Sequence, residues 1–271
     1  MAPFCVLCQR DASMSAPEHV SRYSESSYWD SRFKGEAEYE WFRGYEAFRH
    51  LVERELKPDD RVLVLGAGNS RLSEDLWRLS NIQHVESTDL STTVVERMQA
   101  DAVARGLPST LHWSVADMRQ LPFPSDTFDA VVEKGTLDCL LTVVRDPWNL
   151  PDDVKTTCRQ TLQEAHRVLK PDGCFLSITF SAPHFRRRLL RDGHFTWRVE
   201  HASFGNEWKY HFYSCRKGMK AVDDSEPDEL EASRVPWTGE SLNHDCMDQE
   251  DYLLQCALGD DEDETHIDAP N

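Results

Sequence analysis

The sequence predicts an α/β fold: a doubly wound, mostly parallel seven-stranded sheet with an antiparallel edge hairpin, followed by a disordered acidic C-terminal tail. Three observations predict it. Short apolar or β-rich runs alternate with helix-patterned segments through the middle of the chain, the rhythm of parallel strands joined by helical crossovers. Glycine or an acid follows each of the first three strand-like runs, where such sheets gather their ligands. The last two β-rich runs have only a short Gly205-Asn206 connection, which suits a hairpin and not a crossover.

Each element has its own signal. Residues 61–65, Arg-Val-Leu-Val-Leu, are almost wholly apolar and stop at Gly66, as a strand covered on both faces should. Helical spacing follows over 73–79. A second strand, 84–88, ends at Asp89, and a helix over 92–105 is closed by Gly106. The third strand is 111–115, followed by Asp117, and the fourth is 128–132. A helix over 154–169 meets a stop signal at Pro171-Asp172-Gly173, and the fifth strand is 174–180. Residues 197–201 and 210–215 make the edge pair. The domain expected to carry all this is 21–218, preceded by an irregular segment 1–20 and followed by the tail, 219–271.

Composition narrows the setting. Of 271 residues, 39% are hydrophobic and 29% charged, and no run of eighteen apolar residues suggests a membrane span. The net charge of −18 is concentrated at the end of the chain. Residues 219–271 hold 17 of the 48 acids with Lys220 and Arg234 as their only basic residues, and such blocks read as disordered. One apolar patch there, Tyr252-Leu253-Leu254, is expected to be a fluctuating turn. An acidic chain of this kind is a poor nucleic-acid binder. Eight dispersed cysteines and the absence of a signal peptide suit a reducing, cytoplasmic setting. Cys5-x-x-Cys8 lacks the second ligand pair that a zinc site needs, so no metal is expected. A monomer is the expected state.

The chemistry lies at strand ends. Gly66-Ala67-Gly68-Asn69-Ser70 lets backbone approach a ligand and offers helix N–H groups. Asp89, after the second strand, can accept both hydroxyls of a ribose. Asp117, after the third, is placed to hold an adenine amino group, with Met118 as apolar cover. Arg71 stands where a dinucleotide fingerprint needs its third glycine, and no Walker lysine follows. The ligand expected is therefore an adenosine without a pyrophosphate.

Residues 62–70, Phe128-Asp-Ala-Val-Val-Glu-Lys-Gly-Thr-Leu-Asp138 and Arg167-Val-Leu-Lys-Pro-Asp-Gly173 resemble the class I S-adenosylmethionine-dependent methyltransferases, with their Rossmann-like fold. The runs Tyr28-Trp-Asp-Ser-Arg-Phe33, Tyr39-Glu-Trp-Phe42 and Glu133 to Asp138 are similar to a eukaryotic branch of protein-lysine methyltransferases that act on elongation factor 1-alpha. The resemblance covers residues 21–218. It implies S-adenosyl-L-methionine as cofactor and a protein lysine, on elongation factor 1-alpha, as acceptor. It also implies an aromatic lid of Trp29, Phe33 and Trp41, with Gly66 lining the cofactor. Asp89 and Leu90 would lie at the ribose, Asp117 and Met118 at the adenine, and Lys134 near the methionine moiety. Bland alternatives are core packing for Trp29 and Trp41, and a surface salt bridge to Glu133 or Asp138 for Lys134.

Glu133, Asp138 and His184 are the candidates for orienting or deprotonating an acceptor. The basic cluster of His184, Arg186, Arg187, Arg188 and Arg191 is expected on a solvated loop. A small-molecule methyltransferase and a cofactor-binding scaffold without catalysis are the competing functions. A nucleic-acid methyltransferase is disfavoured, since Glu-Lys-Gly-Thr stands where an Asn/Asp-Pro-Pro-aromatic run would grip an extruded base.

Overall fold

A computed structural model describes residues 22–23, 25–144, 149–191, 195–205 and 209–218. The predicted segment 1–20 with Cys5 and Cys8, and the predicted tail 219–271 with its Tyr252-Leu253-Leu254 patch, lie outside the described residues. Seven strands form one sheet in the order β3-β2-β1-β4-β5-β7-β6. They are β1 (Arg61–Leu65), β2 (His84–Asp89), β3 (Leu111–Val115), β4 (Phe128–Lys134), β5 (Leu169–Thr179), β6 (Trp197–Phe204) and β7 (Tyr210–Lys217). The first five pair in parallel and the β5–β7 and β6–β7 ladders are antiparallel. The predicted edge hairpin is therefore present.

Alternation along each strand divides the core in two, because successive side chains point to opposite faces. Val62, Val64, Val132 and Leu176 face one side. They are covered by α1 (Ser26–Gly35), α2 (Arg49–Glu55), α3 (Leu72–Ser80) and α4 (Thr92–Ala104). Leu63, Leu65, Val131 and Phe175 face the other, under α5 (Thr136–Leu141), α6 (Asp152–Val168) and α7 (Pro183–Leu190). Helix signals act as expected: Ser91 caps α4 by accepting from Val94 N, and α6 carries Asp152 and Asp153 in its first turn and Arg167 in its last. Among the described residues no helix is long and apolar enough to cross a membrane.

Two expectations are corrected. Helix α6 ends at Val168 and β5 begins at Leu169, ahead of the predicted stop signal Pro171-Asp172-Gly173. The ladder with β4 shifts register between Phe128↔Leu169 and Ala130↔Cys174, so the motif is a bulge within a strand and not a boundary. A Cβ at Gly173 would lie 2.9 Å from the Asp129 carbonyl oxygen, which is why the bulge takes glycine. The arginine cluster is not on a solvated loop. Pro183 opens α7 at its first turn, and Arg186 and Leu190 on one face of that helix are fully buried. Helical spacing of two buried residues four apart was the missed signal.

Candidate functional site

Adjacent strands β1 and β4 mark the point where strand order reverses, and a cavity of about 320 Å³ opens beyond their carboxyl ends. Its floor is shaped by two glycines. Gly66 has φ +60°, and a Cβ there would lie 2.5 Å from the Thr136 side chain. Thr136 is fixed in turn by donating from Oγ1 to the Leu65 carbonyl at 2.9 Å. Gly68 has φ +53°, and its Cβ would press on the Phe33 ring at 3.3 Å. Only residues without side chains bring the backbone this close to the ring and to Thr136.

Asp89 stands on the cavity wall at the end of β2. Gly68 N donates to one of its oxygens and Ser91 N to the other, each at 2.9 Å. Burial raises its pKa, while these backbone donors and Leu90 N–H lower it. Each oxygen keeps a lone pair for a further donor. Leu90, exposed, and Met118 also line the cavity. Asp117 lines it too, with its carboxylate clasped in a bidentate pair by Arg119 at 2.7–3.1 Å. That pair holds Asp117 below the usual carboxylate range. Sequence reading missed Arg119.

The roof is aromatic, and five of its rings, Tyr23, Trp29, Phe33, Tyr39 and Trp41, line the cavity. Trp29 stacks between Tyr23 and Phe33, at 5.6 Å from each ring, and meets Trp41 edge-on at 6.0 Å. It donates from Nε1 to the Tyr23 carbonyl at 2.8 Å. Arg32 braces the assembly, its guanidinium 4.3 Å from the Tyr39 ring centre and bonded to both oxygens of Glu36. Helix α1 is tied to the body by Ser91 Oγ donating to Asp30 at 2.5 Å, and by Arg97 donating to the Phe33 and Glu36 carbonyls.

Lys134 also reaches the cavity, but its partner is neither Glu133 nor Asp138. Its ammonium pairs with Glu40 and donates to the Trp41 and Arg43 carbonyls, at 3.1 and 3.5 Å. Burial lowers its pKa, and Glu40 opposes that shift. Sequence reading passed over Glu40, whose role depends on a contact 94 residues away.

The three catalytic candidates do not line the cavity. Glu133 is buried on the other face of the sheet, where it accepts from Ser177 Oγ and from the Thr136 and Leu137 N–H groups at the start of α5. Burial pushes its pKa up to about 7, Asp138 adds to the rise and Arg186 opposes it. Asp138 accepts from Thr179 Oγ1 at 2.5 Å and lies 2.9 Å from Arg186 Nη2. His184 sits on α7 beside the Phe185 ring, at 4.1 Å. The structure thus gathers the predicted cofactor residues around one cavity and leaves the predicted base residues outside it.

Comparisons with known proteins agree with this architecture. Residues 63–177 match a methyltransferase-domain family. The chain is 46% identical over 207 residues to the EEF1A lysine methyltransferase 4 of Bos taurus, covering 75% of this chain and 80% of that one. Identity to the Mus musculus protein of the same name is 42%, with 74% and 79% covered. Two solved structures share the fold at low identity. One is a chain of a complex of the Haloferax volcanii Trm112 methyltransferase activator with a methyltransferase (TM-score 0.50, 19% identical, covering 72% of this chain and 96% of that one). The other comes from work on conversion of a disulfide bond into a thioacetal group during echinomycin biosynthesis (TM-score 0.52, 16% identical, 72% and 94% covered).

Proposed function

Because the chain belongs to the family of the EEF1A lysine methyltransferases and uses S-adenosyl-L-methionine, we propose that it methylates a lysine side chain of elongation factor 1-alpha. Within the site, Asp89 carries the reading: a carboxylate at the end of β2, held by two backbone donors and still able to accept from a diol, suits the ribose of an adenosine. The acceptor follows from the lysine methyltransferases that the chain resembles.

The residues fit the cofactor. Gly66 and Gly68 bring backbone to the cavity, Asp117 and Met118 lie at its far end beside β3, and no phosphate-binding lysine is present in the glycine loop. When bound, S-adenosylmethionine supplies a methyl group already activated on a sulfonium. The aromatic rings of Trp29 and Trp41 attract such a cation and keep water away. The protein's remaining task is to position a neutral amine in line with that group.

An acceptor ammonium must shed its proton first. Among the described residues, the acids lining the cavity are Glu36, Asp89 and Asp117, and each is already engaged by Arg32, by backbone N–H groups or by Arg119. We assign no obligatory base to them. Desolvation under the aromatic roof lowers the acceptor's pKa, and the proton passes to solvent. Glu133 and Asp138 then act as positioning residues beneath the loop that carries Thr136. The catalytic unit is residues 21–218. Cys139, Cys158, Cys174 and Cys215 are all free thiols, which supports a cytoplasmic setting.

Transfer of a tritiated methyl from S-adenosylmethionine to recombinant elongation factor 1-alpha, with the modified residue mapped by mass spectrometry, tests the proposal. Label on a lysine is expected. Label found only in small metabolites of a lysate, or cofactor binding without transfer, would overturn it.

A further inference from the structure

The segment between α1 and the 3-10 turn at Tyr45–Ala47 has no regular structure, yet it supplies Tyr39 and Trp41 to the roof. What holds it down converges on one side chain. Glu40 accepts from Ser70 Oγ at 2.9 and 3.0 Å, from Arg71 N at 2.5 Å and from the Lys134 ammonium. One carboxylate therefore joins the roof to the start of α3 and to the end of β4. Its partner Lys134 is buried, and all three of its donors go to this segment.

Backbone conformation adds an independent observation. Phe42 has φ +63° without being glycine, a conformation that strains a residue with a side chain. It persists where surrounding contacts over-determine it. Here the carbonyls on either side, of Trp41 and Arg43, both accept from the Lys134 ammonium. The Phe42 ring meanwhile covers Gly135, whose Cβ would come within 3.1 Å of it, and packs 4.3 Å from Phe180. The closed roof is a strained shape held by the Glu40–Lys134 pair.

We propose that Glu40 is a positioning residue for the cofactor: through Lys134 and the start of α3 it latches the aromatic roof, and its loss frees the cofactor to leave. Glu40 does not line the cavity, so its effect is indirect. The proposal rests on S-adenosylmethionine occupying the cavity described above.

Cofactor exchange in the full chain tests it. Dissociation of S-adenosylmethionine from wild type and from Glu40→Gln is followed by stopped-flow tryptophan fluorescence, with Kd from calorimetry and folding from circular dichroism. E40Q keeps acceptor capacity for Ser70 and Arg71 but removes the charge opposite Lys134. A rise in off-rate of ten-fold or more is expected, larger than any fall in kcat at saturating cofactor. Amide exchange over residues 36–44 should quicken without cofactor present. If E40Q does not fold, Ser70→Ala removes one donor to the same carboxylate and is expected to raise the off-rate two- to five-fold. A wild-type off-rate in whichever variant folds, or a fall in kcat with unchanged Kd, overturns the latch. Failure of the wild-type chain to bind S-adenosylmethionine would instead sink the cofactor reading itself.

Discussion

Glu133 and Lys134 are neighbours at the end of β4, and they build two different buried charge clusters because strand alternation sends them to opposite faces of the sheet. On the α1–α4 face, one cation meets one carboxylate and two carbonyls, so every donor of Lys134 is used. On the α5–α7 face, Glu133 and Asp138 share Arg186, which is fully buried while its Nε and Nη1 have no hydrogen-bond partner among the described residues. The first cluster is a matched pair that belongs to the cofactor roof. The second carries one more carboxylate than cation and fastens α5 and α7 to the sheet. Burying charge thus involves a cavity-lining side chain, Lys134, on one face and helix docking on the other, where Glu133, Asp138 and Arg186 stay out of the cavity.

The sharpest way to break this contrast is Arg186→Met. It leaves two buried carboxylates without their cation and should cost about 3–5 kcal/mol, read as a fall in melting temperature of more than about 6 °C. Adding Glu133→Gln and Asp138→Asn should recover most of that loss. A fall under about 2 °C for the single variant would mean that the acids are neutral and the cluster is not an ionic one.

Asp89→Ala probes the other face. Losing a charged acceptor at the ribose position should weaken S-adenosylmethionine binding by about 1–3 kcal/mol, measured by calorimetry. Unchanged affinity would mean that the cofactor does not lie along the ends of β1 and β2.

The gentlest test is pH. Glu133 has its pKa pushed up to about 7 from an ordinary 4.5, so between those values the folded state binds more protons than the unfolded one. Its stabilising contribution is therefore full below about pH 4.5 and fades as pH rises through 7. Glu133→Gln abolishes that fading, and should gain on wild type by about 1–2 kcal/mol between pH 5 and 8, followed by chemical denaturation at each pH. A constant difference across the range would place the titration elsewhere.

Much of this was legible in the chain. The strands announced themselves by apolar runs that stop at Gly66, Asp89 and Asp117, since a parallel strand is covered on both faces and its ligand groups must lie just past its end. Four short helices were not announced. Helix α1 has a mixed face, α5 is only six residues long, α2 only seven, and α7 is dense in arginine. Local pattern is weakest where a helix is short or where its buried position is a charged residue, because burial of Arg186 depends on partners supplied by β4, β5 and α5.

What the sequence by itself determined is the α/β class, the seven strands and the strand-end groups that line the cavity, because periodicity and turn chemistry are set by residues close together in the chain. Only the tertiary structure decided which of Glu133 and Lys134 serves the cavity, that Glu40 and not Glu133 is the lysine's partner, and that Arg186 is a core residue. The physical reason is common to all three. The energy of a buried ion depends on which opposite charge and which carbonyls come within hydrogen-bond reach, and here those groups are 91–94 residues from Lys134 along the chain, and Asp138 is 48 residues from Arg186.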